Sequence, residues 1–181
     1  MIGLREIKRP YVPKTPIVAK EVPYFIDWVP TGLNDIHYYF DLAPVSALDT
    51  VYDLGSGDGR LVLAALAKGA GKSVGVELDS ELIQDAKKAA RLNGYYDNIN
   101  FIQDDFMKVH LAQASVVLCY LSPVIYETLK PKFASELKSG ARIVTQAWGI
   151  PGWQPARSIM KEGQYFYLYI MPPKKLRAKV V

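Results

Sequence analysis

The sequence is poor in cysteine and histidine, and these two shortages exclude several classes of protein. One cysteine, Cys119, stands among 181 residues, so no disulfide can form within the chain. A single thiol favours a reducing compartment, and we expect the protein in the cytoplasm. The two histidines, His37 and His110, lie far apart and match no metal-ligand spacing, so no metal site is expected.

Long apolar runs are also missing. No run approaches the roughly 20 residues that a membrane span needs, and the start, MIGLREIKRPYVPKTP, has no apolar stretch typical of a secretory signal. We therefore expect no stable membrane insertion. The net charge of +4 is small, and much of it lies in the two ends of the chain, so it is a weak indication of RNA or another acidic partner.

What the sequence does contain is a regular alternation of apolar strands and helices. Strands are predicted at 50–54, 73–78, 99–103, 114–121 and 141–148, and helices at 60–69, 79–94 and 124–140. This order predicts parallel strands covered by helices on both faces. Two last segments, 156–162 and 164–172, are joined by a short turn at Gly163, which predicts an antiparallel hairpin. The fold class is therefore α/β, a Rossmann-like doubly wound sheet of seven mixed strands with a C-terminal hairpin.

Composition divides the chain into three parts. Residues 1–27 are rich in proline and basic residues and are predicted to be extended. Residues 28–171 form the predicted domain, and 172–181 form a basic, solvated tail.

Two helix boundaries depend on single residues. Thr31 is a candidate cap for a first helix that carries Leu33 on its apolar face and ends near Pro44. Pro131 is expected to break or restart the helix over 124–140, because proline has no N–H to donate.

The sharpest turn is VYDLGSGDGR, residues 51–60, which follows the first strand. Open α/β sheets usually bind their ligand at such a point. Side chains at Gly55, Gly57 and Gly59 would block a ligand from the main-chain N–H groups. The spacing matches neither the G-x-G-x-x-G of dinucleotide enzymes nor the P-loop. Asp53, at the mouth of the turn, would repel a pyrophosphate and attract an ammonium group, such as that of an amino acid.

Three further side chains complete a predicted nucleoside site. Glu77, at the end of the second strand, can accept hydrogen bonds from both ribose hydroxyls, while Asp79 is the better candidate for the helix cap. Asp105 is placed to accept from an exocyclic amine with Phe106 against an adenine ring, and Asp104 is its rival. An amino-acid ammonium, a ribose and an adenine together describe S-adenosylmethionine, which is the expected cofactor.

These segments resemble the motifs of the class I, or seven-β-strand, methyltransferases. DLGSGDG (53–59) matches the first motif, GVELD (75–79) the second and DDF (104–106) the third. The resemblance implies methyl transfer from S-adenosylmethionine, and the first motif adds Ser56 to the implied cofactor site.

A narrower resemblance is to the small protein-lysine methyltransferases. It is carried by WVPT (28–31), VYDLGSGDGRLVL and GARIVTQAWGIPGWQP (140–155). The group includes an archaeal broad-specificity lysine methyltransferase and eukaryotic enzymes acting on the adenine nucleotide translocase and ATP synthase subunit c. It implies a protein substrate with an exposed lysine, and it implies Trp28 and Pro30 near the cofactor. The apolar membrane-anchoring segment of the mitochondrial members is not found in this sequence.

The acceptor side is less specific in sequence. Tyr120, at the end of the fourth strand, is a candidate wall or hydrogen-bond partner for the target amine, although packing alone explains it equally well; Ser122 is a weaker candidate. CYLSP (119–123) lacks the Asn/Asp-Pro-Pro-aromatic pattern that accompanies amide and base nitrogens, which disfavours glutamine and DNA adenine as targets. Trp148 and Trp153 either line the same cleft or pack under the hairpin, and core packing is the favoured expectation.

Three functions follow from these patterns. The first is a protein-lysine N-methyltransferase. The second is a methyltransferase for RNA or a small molecule. In the case of RNA, the basic residues at the two ends of the chain would bind its phosphates. The third is a module that binds the cofactor without turnover, which the first motif and Glu77 do not exclude. The sequence specifies neither the target protein, nor the number of methyl groups added, nor the oligomeric state.

Overall fold

The structure of the protein, a computed structural model, describes residues 29–175. The chain divides into two units after Pro30, and the helices and sheets below belong to the second unit. The expected extended segment 1–27, Trp28 and the last six residues of the expected tail lie outside the described residues.

The described part holds four helices and nine strands. In chain order they are α1 (Ile36–Leu42), β1 (Thr50–Leu54), α2 (Arg60–Ala67), β2 (Lys72–Glu77), α3 (Ser80–Leu92), β3 (Ile99–Gln103), β4 (Val116–Cys119), α4 (Pro123–Glu136), β5 (Arg142–Gln146), β6 (Trp153–Gln154), β7 (Arg157–Lys161), β8 (Gln164–Ile170) and β9 (Lys174–Lys175).

Seven of the strands form one mixed sheet in the order β3-β2-β1-β4-β5-β8-β7. The first five are parallel, and β8 runs antiparallel to both β5 and β7. This confirms the predicted doubly wound sheet with a C-terminal hairpin. The strand order reverses between β1 and β4, so the carboxyl ends of β1, β2, β4 and β5 meet at the edge where such sheets bind ligands.

Helices cover both faces of the sheet. On one face, Tyr126, Leu129 and Phe133 of α4 are fully buried against β1, β4 and β5. On the other face, α1 and α2 bury Tyr39 and Leu61 against the opposite side chains of the same strands. Burial on both faces explains why the strands are apolar throughout rather than alternating.

The hairpin closes through a two-residue turn of Glu162 and Gly163, which have φ of +50° and +78°. Two successive residues with positive φ make the turn whose twist matches that of paired strands. The pairing of Lys161 with Gln164 follows directly.

The first helix begins later than the sequence predicts. Thr31 is not its cap: its carbonyl oxygen accepts a hydrogen bond of 2.6 Å from Arg60 Nη1, which ties it to α2. The Asp35 N–H donates to Gly32 O at 2.9 Å in a turn, and the helix starts at Ile36. Leu33 therefore precedes the helix and is 53% exposed rather than packed.

Pro131 does not break α4, which runs without interruption from Pro123 to Glu136. The carbonyl that Pro131 cannot bond is that of Glu127, four residues earlier, and Glu127 lies on the exposed side of the helix. Water can satisfy that carbonyl, while buried side chains on both sides of the proline hold the helix against the sheet. Within residues 29–175, no helix has the length and apolar character that a bilayer span requires.

The expected tail contributes to the fold where it is described. Lys174 and Lys175 form β9, which pairs antiparallel with Gln154 and Trp153 of β6. Main-chain hydrogen bonds therefore continue into the segment predicted as a basic tail, while the Lys174 side chain is exposed to solvent.

Candidate active site

The glycine turn after β1 is joined to the end of β2 by its own main chain. The N–H groups of Gly55 and Ser56 both donate to Val76 O, at 2.9 and 3.0 Å. The N–H of Gly57 donates to Glu77 Oε2 at 2.9 Å. These three donors are used within the chain, so the turn offers a ligand close approach to bare backbone rather than a row of free N–H groups.

One glycine of the turn serves packing instead of ligand access. A Cβ on Gly59 would lie 2.8 Å from the Phe101 ring and 2.9 Å from Ala86 Cβ. The expectation that Gly59 keeps a path open for a ligand is therefore wrong; it lets α2 approach β3 and α3. A Cβ on Gly75 would lie 2.6 Å from Ser56 Oγ, and that hydroxyl is buried with no hydrogen-bond partner among the residues described.

Asp53 is a buried carboxylate at the mouth of the turn, and it is only 3% exposed. Burial raises its pKa well above the ordinary value, and the negative charges of Glu77 and Asp58 raise it further. Within residues 29–175, no lysine or arginine forms an ion pair with Asp53. A buried carboxylate with no counter-ion strongly attracts a bound cation.

Asp58, by contrast, has its own cation. Arg60 Nε and Nη2 donate to its two oxygens at 2.9 and 2.6 Å. The pair forms a two-pronged contact at the start of α2, and a further Arg60 nitrogen holds the Thr31 carbonyl. The two aspartates of the motif therefore have different roles, one structural and one open to a ligand.

Glu77 is held rigidly at the carboxyl end of β2. Its Oε1 accepts from the N–H groups of Leu78 and Asp79, at 2.8 and 3.1 Å, and its Oε2 accepts from Gly57. A ribose would share these oriented oxygens with the main-chain donors. Asp79 caps α3 by accepting from two main-chain N–H groups, at 2.8 and 3.3 Å, as predicted.

The loop after β3 separates the two rival aspartates. Asp104 Oδ1 accepts from the Asp105 N–H at 2.7 Å and lies 3.8 Å from Lys108 Nζ. Asp105 Oδ1 accepts from the Met107 N–H at 2.8 Å, and its other oxygen has no partner in the part of the chain described. Phe106 is partly buried against the α4 side of the core. Asp105 therefore has more capacity left for a ligand than Asp104.

An aromatic pair lies at the ends of β4 and β5. The rings of Tyr120 and Trp148 have centroids 6.2 Å apart and are tilted by 31°. Trp148 is 44% exposed, so the prediction that it packs in the core is wrong. Trp153 does pack in the core, 6.4 Å from Phe133 and 6.1 Å from Tyr169.

Tyr126 fixes the segment that carries Tyr120. Its buried hydroxyl accepts from the Leu121 N–H at 3.2 Å and lies 3.4 Å from Cys119 O, to which it donates. Ser122 precedes α4 as its N-cap residue, but its side chain makes no capping hydrogen bond. Ser122 is thus close to Tyr120 in the chain and free of a helix-capping role.

A strained residue directs Trp148. Ala147 has a φ of +64°, a conformation that alanine rarely adopts. The turn is held by Thr145 Oγ1, which donates to Trp148 O at 2.8 Å. Strain of this kind persists where the surrounding structure enforces it, and it is common at functional sites.

A polar network on the α1 face of the sheet was not predicted from the sequence. Tyr39 Oη donates to Gln146 Oε1 at 3.0 Å, and Gln146 Nε2 donates to Asp35 Oδ2 at 3.2 Å. Tyr39 and Gln146 are fully buried. Burial raises the pKa of Asp35, and burial together with the Asp35 charge raises the pKa of Tyr120. One sequence signal was available: Gln146 and Thr145 are polar residues at the end of a strand that is predicted to be buried.

Comparisons with known proteins agree with this geometry. The chain is 35% identical over 159 residues to a protein-lysine N-methyltransferase of Saccharolobus islandicus (strain REY15A), covering 85% of this chain and 98% of that one. It is 37% identical to the adenine nucleotide translocase lysine N-methyltransferase of Mus musculus over 61% of this chain and 48% of that one, so it spans about half of the mouse protein.

A solved structure with the same fold contains a cofactor product. It is an RNA methyltransferase from Salinibacter ruber in complex with S-adenosyl-L-homocysteine, with a TM-score of 0.77 and 34% identity, covering 80% of this chain and 94% of that one. Fold and site together define an S-adenosylmethionine-dependent methyltransferase. Residues 53–157 match the ANTKMT methyltransferase domain, and the chain belongs to that family. The resemblance inferred from the motifs is confirmed, as are the enzyme class and the cofactor.

Proposed function

We propose that this methyltransferase transfers methyl groups to lysine side chains of proteins. The observation that carries the proposal is the pair formed by Tyr120 and Trp148 at the ends of β4 and β5, on the edge that holds the glycine turn. Aromatic faces of this kind favour an ammonium or amine group. The relatives named as protein-lysine and translocase-lysine methyltransferases support the same acceptor.

The cofactor's groups match the polar residues of the edge. Asp53 would hold the amino-acid ammonium, Glu77 the ribose hydroxyls, and Asp105 with Phe106 the adenine, while residues 55–57 allow close approach to the backbone. The buried, unpaired charge of Asp53 fits a cationic group best. When bound, S-adenosylmethionine supplies the methyl group on a sulfonium.

The acceptor amine needs a lone pair and a fixed position. A free lysine has a pKa of about 10.4, so its ammonium must lose a proton before it can accept a methyl group. Tyr120 would form a wall of the acceptor site, and Ser122 would lie beside it. Holding the amine in line is the main contribution that the protein can make to this displacement. Trp28, which the family resemblance implies near the cofactor, is proposed as a further contact.

RNA is the second candidate acceptor, and one observation favours it. The Salinibacter ruber structure, at 34% identity and with 94% of its chain covered, is named an RNA methyltransferase. The aromatic pair is compatible with a base as well as with an amine. The basic residues of the chain ends would then bind phosphates.

We also propose the limits of the methyltransferase domain and the compartment in which the protein acts. Residues 28–171 would be the methyltransferase domain, between an N-terminal segment and a basic tail. The one thiol, Cys119, is buried and free, which agrees with the cytoplasmic location proposed from the cysteine content.

The deciding experiment uses cofactor with a tritiated methyl group, the purified enzyme and a methyl-depleted cell extract. The labelled products are divided between protease and RNase digestion, and methyl-lysine is sought by hydrolysis. Glu77→Ala is the matched control with weakened cofactor binding, because it removes the proposed ribose contact. Label that is lost only to protease, with methyl-lysine recovered, is the expected result.

Each other outcome contradicts the proposal in a defined way. Label lost to RNase would replace lysine by RNA as the acceptor. Label in neither macromolecular pool, with the cofactor nevertheless consumed, would indicate a small-molecule acceptor. No consumption above the Glu77→Ala control would leave a protein that binds the cofactor without turnover.

A further inference from the structure

The carboxylate of Asp35 does not cap the helix that it precedes. Asp35 occupies the N-cap position of α1, where an aspartate normally accepts from the first main-chain N–H groups. Its side chain makes no capping hydrogen bond. It is turned instead towards the sheet, where it accepts from Gln146 Nε2 at 3.2 Å.

The residues behind Asp35 are buried and oriented. Gln146 is 1% exposed and has its amide fixed by the Tyr39 hydroxyl at 3.0 Å. Because Gln146 is the last residue of β5, this arrangement places the Asp35 carboxylate at the carboxyl edge of the sheet. A buried amide whose oxygen and nitrogen are both engaged can hold the carboxylate in one orientation.

No cation within the described part of the chain neutralises Asp35. No lysine or arginine of residues 29–175 forms an ion pair with Asp35. Arg60, the arginine at the start of α2, is bonded to Asp58 and to the Thr31 carbonyl. Asp35 is hydrogen-bonded to Gln146, which lies two residues before Trp148 in the chain, and its charge acts on Tyr120, the other ring of the aromatic pair. A fixed anion beside an aromatic wall is suited to a cationic guest.

We propose that Asp35 is the group that binds the acceptor's ammonium and takes its proton, with Gln146 and Tyr39 as positioning residues. The inference rests on the proposed lysine acceptor. In the step, one N–H bond of the ammonium breaks, its electron pair remains on nitrogen as the lone pair, and the proton forms an O–H bond with the Asp35 carboxylate. The proton then passes to solvent, and the neutral amine is ready to accept the methyl group.

Several neighbouring groups tune this carboxyl. Burial raises the pKa of Asp35, and Glu162, in the β7–β8 turn, raises it further. The Gln146 hydrogen bond and His37, on α1 itself, lower it. The net effect is a raised pKa of Asp35. A higher pKa of the carboxyl is closer to the pKa of the amine, which makes the proton transfer less unfavourable.

Two tyrosines also face Asp35. Tyr38 on α1 and Tyr120 after β4 both have a raised pKa, chiefly because of desolvation, and the Asp35 charge adds to the effect in each. Their phenols thus stay protonated and neutral near neutral pH. They can donate hydrogen bonds, but they do not compete with Asp35 as bases.

The test compares wild type with Asp35→Asn across pH, using the tritiated cofactor and the methyl-depleted extract and scoring methyl-lysine only. We expect Asp35→Asn to lower kcat/KM by about 100-fold at pH 7. The deficit should shrink to less than about tenfold at pH 10, where much of the lysine is already neutral. A variant that merely distorted the site would lose the same factor at both pH values.

One readout other than turnover and two further variants accompany this profile. The Kd for S-adenosylhomocysteine, measured by calorimetry, should stay within about twofold of wild type, because Asp35 is assigned to the acceptor and not to the cofactor. Asp41→Asn on the exposed side of α1 is the matched control and should keep the wild-type profile. Gln146→Glu places a second carboxylate against Asp35 and should move the acidic limb of the profile to higher pH.

The outcomes separate the inference from the proposed function. If wild type makes methyl-lysine and Asp35→Asn does so with a pH-independent deficit, or with none, the role assigned to Asp35 is wrong and the lysine acceptor stands. If wild type makes no methyl-lysine, the proposed acceptor is wrong and the inference falls with it. If the acidic limb of the pH profile does not move in Gln146→Glu, Gln146 does not position Asp35.

Discussion

Replacing Asp53 by asparagine tests the electrostatics of the proposed cofactor site, because it should raise stability relative to wild type at high pH and lower cofactor affinity. The carboxylate is 3% exposed, lies near Glu77 and Asp58, and has no counter-ion within residues 29–175. Its charge is therefore unfavourable in the ligand-free protein and favourable once a cation is bound. Asp53→Asn keeps the shape of the side chain and removes the charge.

The stability effect has a definite sign. The pKa of Asp53 is raised in the folded state above its ordinary value of 3.8, so between these two values the folded protein binds more protons than the unfolded one. The free energy of unfolding of wild type therefore falls as pH rises through this window, and the cost is complete above the folded pKa. Asparagine does not titrate and has no such cost.

The magnitude follows from linkage. Each unit by which the pKa is raised corresponds to about 1.4 kcal/mol. The stability of Asp53→Asn relative to wild type should thus improve between pH 4 and pH 8, and each 1 kcal/mol of improvement corresponds to about 2–4 °C in Tm for a protein of this size. Any fixed cost of burying the amide is the same at both pH values and cancels in the comparison.

Cofactor affinity should change in the other direction. Removing one partner of a buried charge pair costs about 2–3 kcal/mol, which is about 30- to 150-fold in Kd. Thermal unfolding of the ligand-free protein at pH 4, 6 and 8, with calorimetric titration of S-adenosylhomocysteine at pH 8, measures both effects on the same samples.

Asp58→Asn is the matched control because its carboxylate is paired with Arg60 at 2.6 Å. Losing that pair should lower stability by about 1–3 kcal/mol at pH 8. The reasoning about Asp53 is refuted if Asp53→Asn shows no gain in stability relative to wild type as pH rises. Ionisation of Asp53 would then not lower the free energy of unfolding. Unchanged Kd in Asp53→Asn would mean that the cationic group of the cofactor binds elsewhere.

Three further substitutions test single residues of the site. Glu77→Ala should weaken S-adenosylhomocysteine binding by about tenfold or more, since it removes the proposed ribose acceptor and the partner of the Gly57 N–H; unchanged affinity by calorimetry would reject the assignment. Tyr120→Phe should lower turnover on the labelled extract with little loss of cofactor affinity, and full activity would return Tyr120 to a packing role. Gly59→Ala should destabilise the protein by more than about 1 kcal/mol, because φ is +79° and the added Cβ would meet Phe101 at 2.8 Å; wild-type Tm would contradict this.

The fold was predictable because its determinants are local. Apolar strands, polar helix starts such as Asp79 and the Gly163 turn each act within a few residues, and they agree with one another along the chain. The errors occurred where a distant group overrode a local preference. Thr31 is a typical helix-cap residue, but the N-cap position of α1 is Asp35, and the Thr31 main chain is bonded to Arg60, 29 residues away. Pro131 reads as a helix break, but packing on both sides of it keeps α4 continuous.

The edge of the sheet that carries the proposed cofactor residues was predictable for a related reason. Its side chains follow three consecutive strands, and parallel strands bring their carboxyl ends to one edge. Each candidate could thus be placed from its position after a strand, without knowledge of long-range packing. The structure adds what local patterns do not contain, such as the bond from the Gly57 N–H to Glu77 that ties two of these turns together.

The proposed acceptor half depends on pairs that no local pattern reveals. Asp35 and Gln146 are 111 positions apart, and Tyr39 and Gln146 are 107 apart. Each reads alone as an ordinary residue: a helix cap, a strand-end amide and a helix tyrosine. Only the docking of α1 on β5 brings them into hydrogen-bond contact. In the proposed site, the cofactor contacts come from consecutive turns and the acceptor contacts from distant segments. The second set could then change with little effect on the first, which would let one fold serve different acceptors.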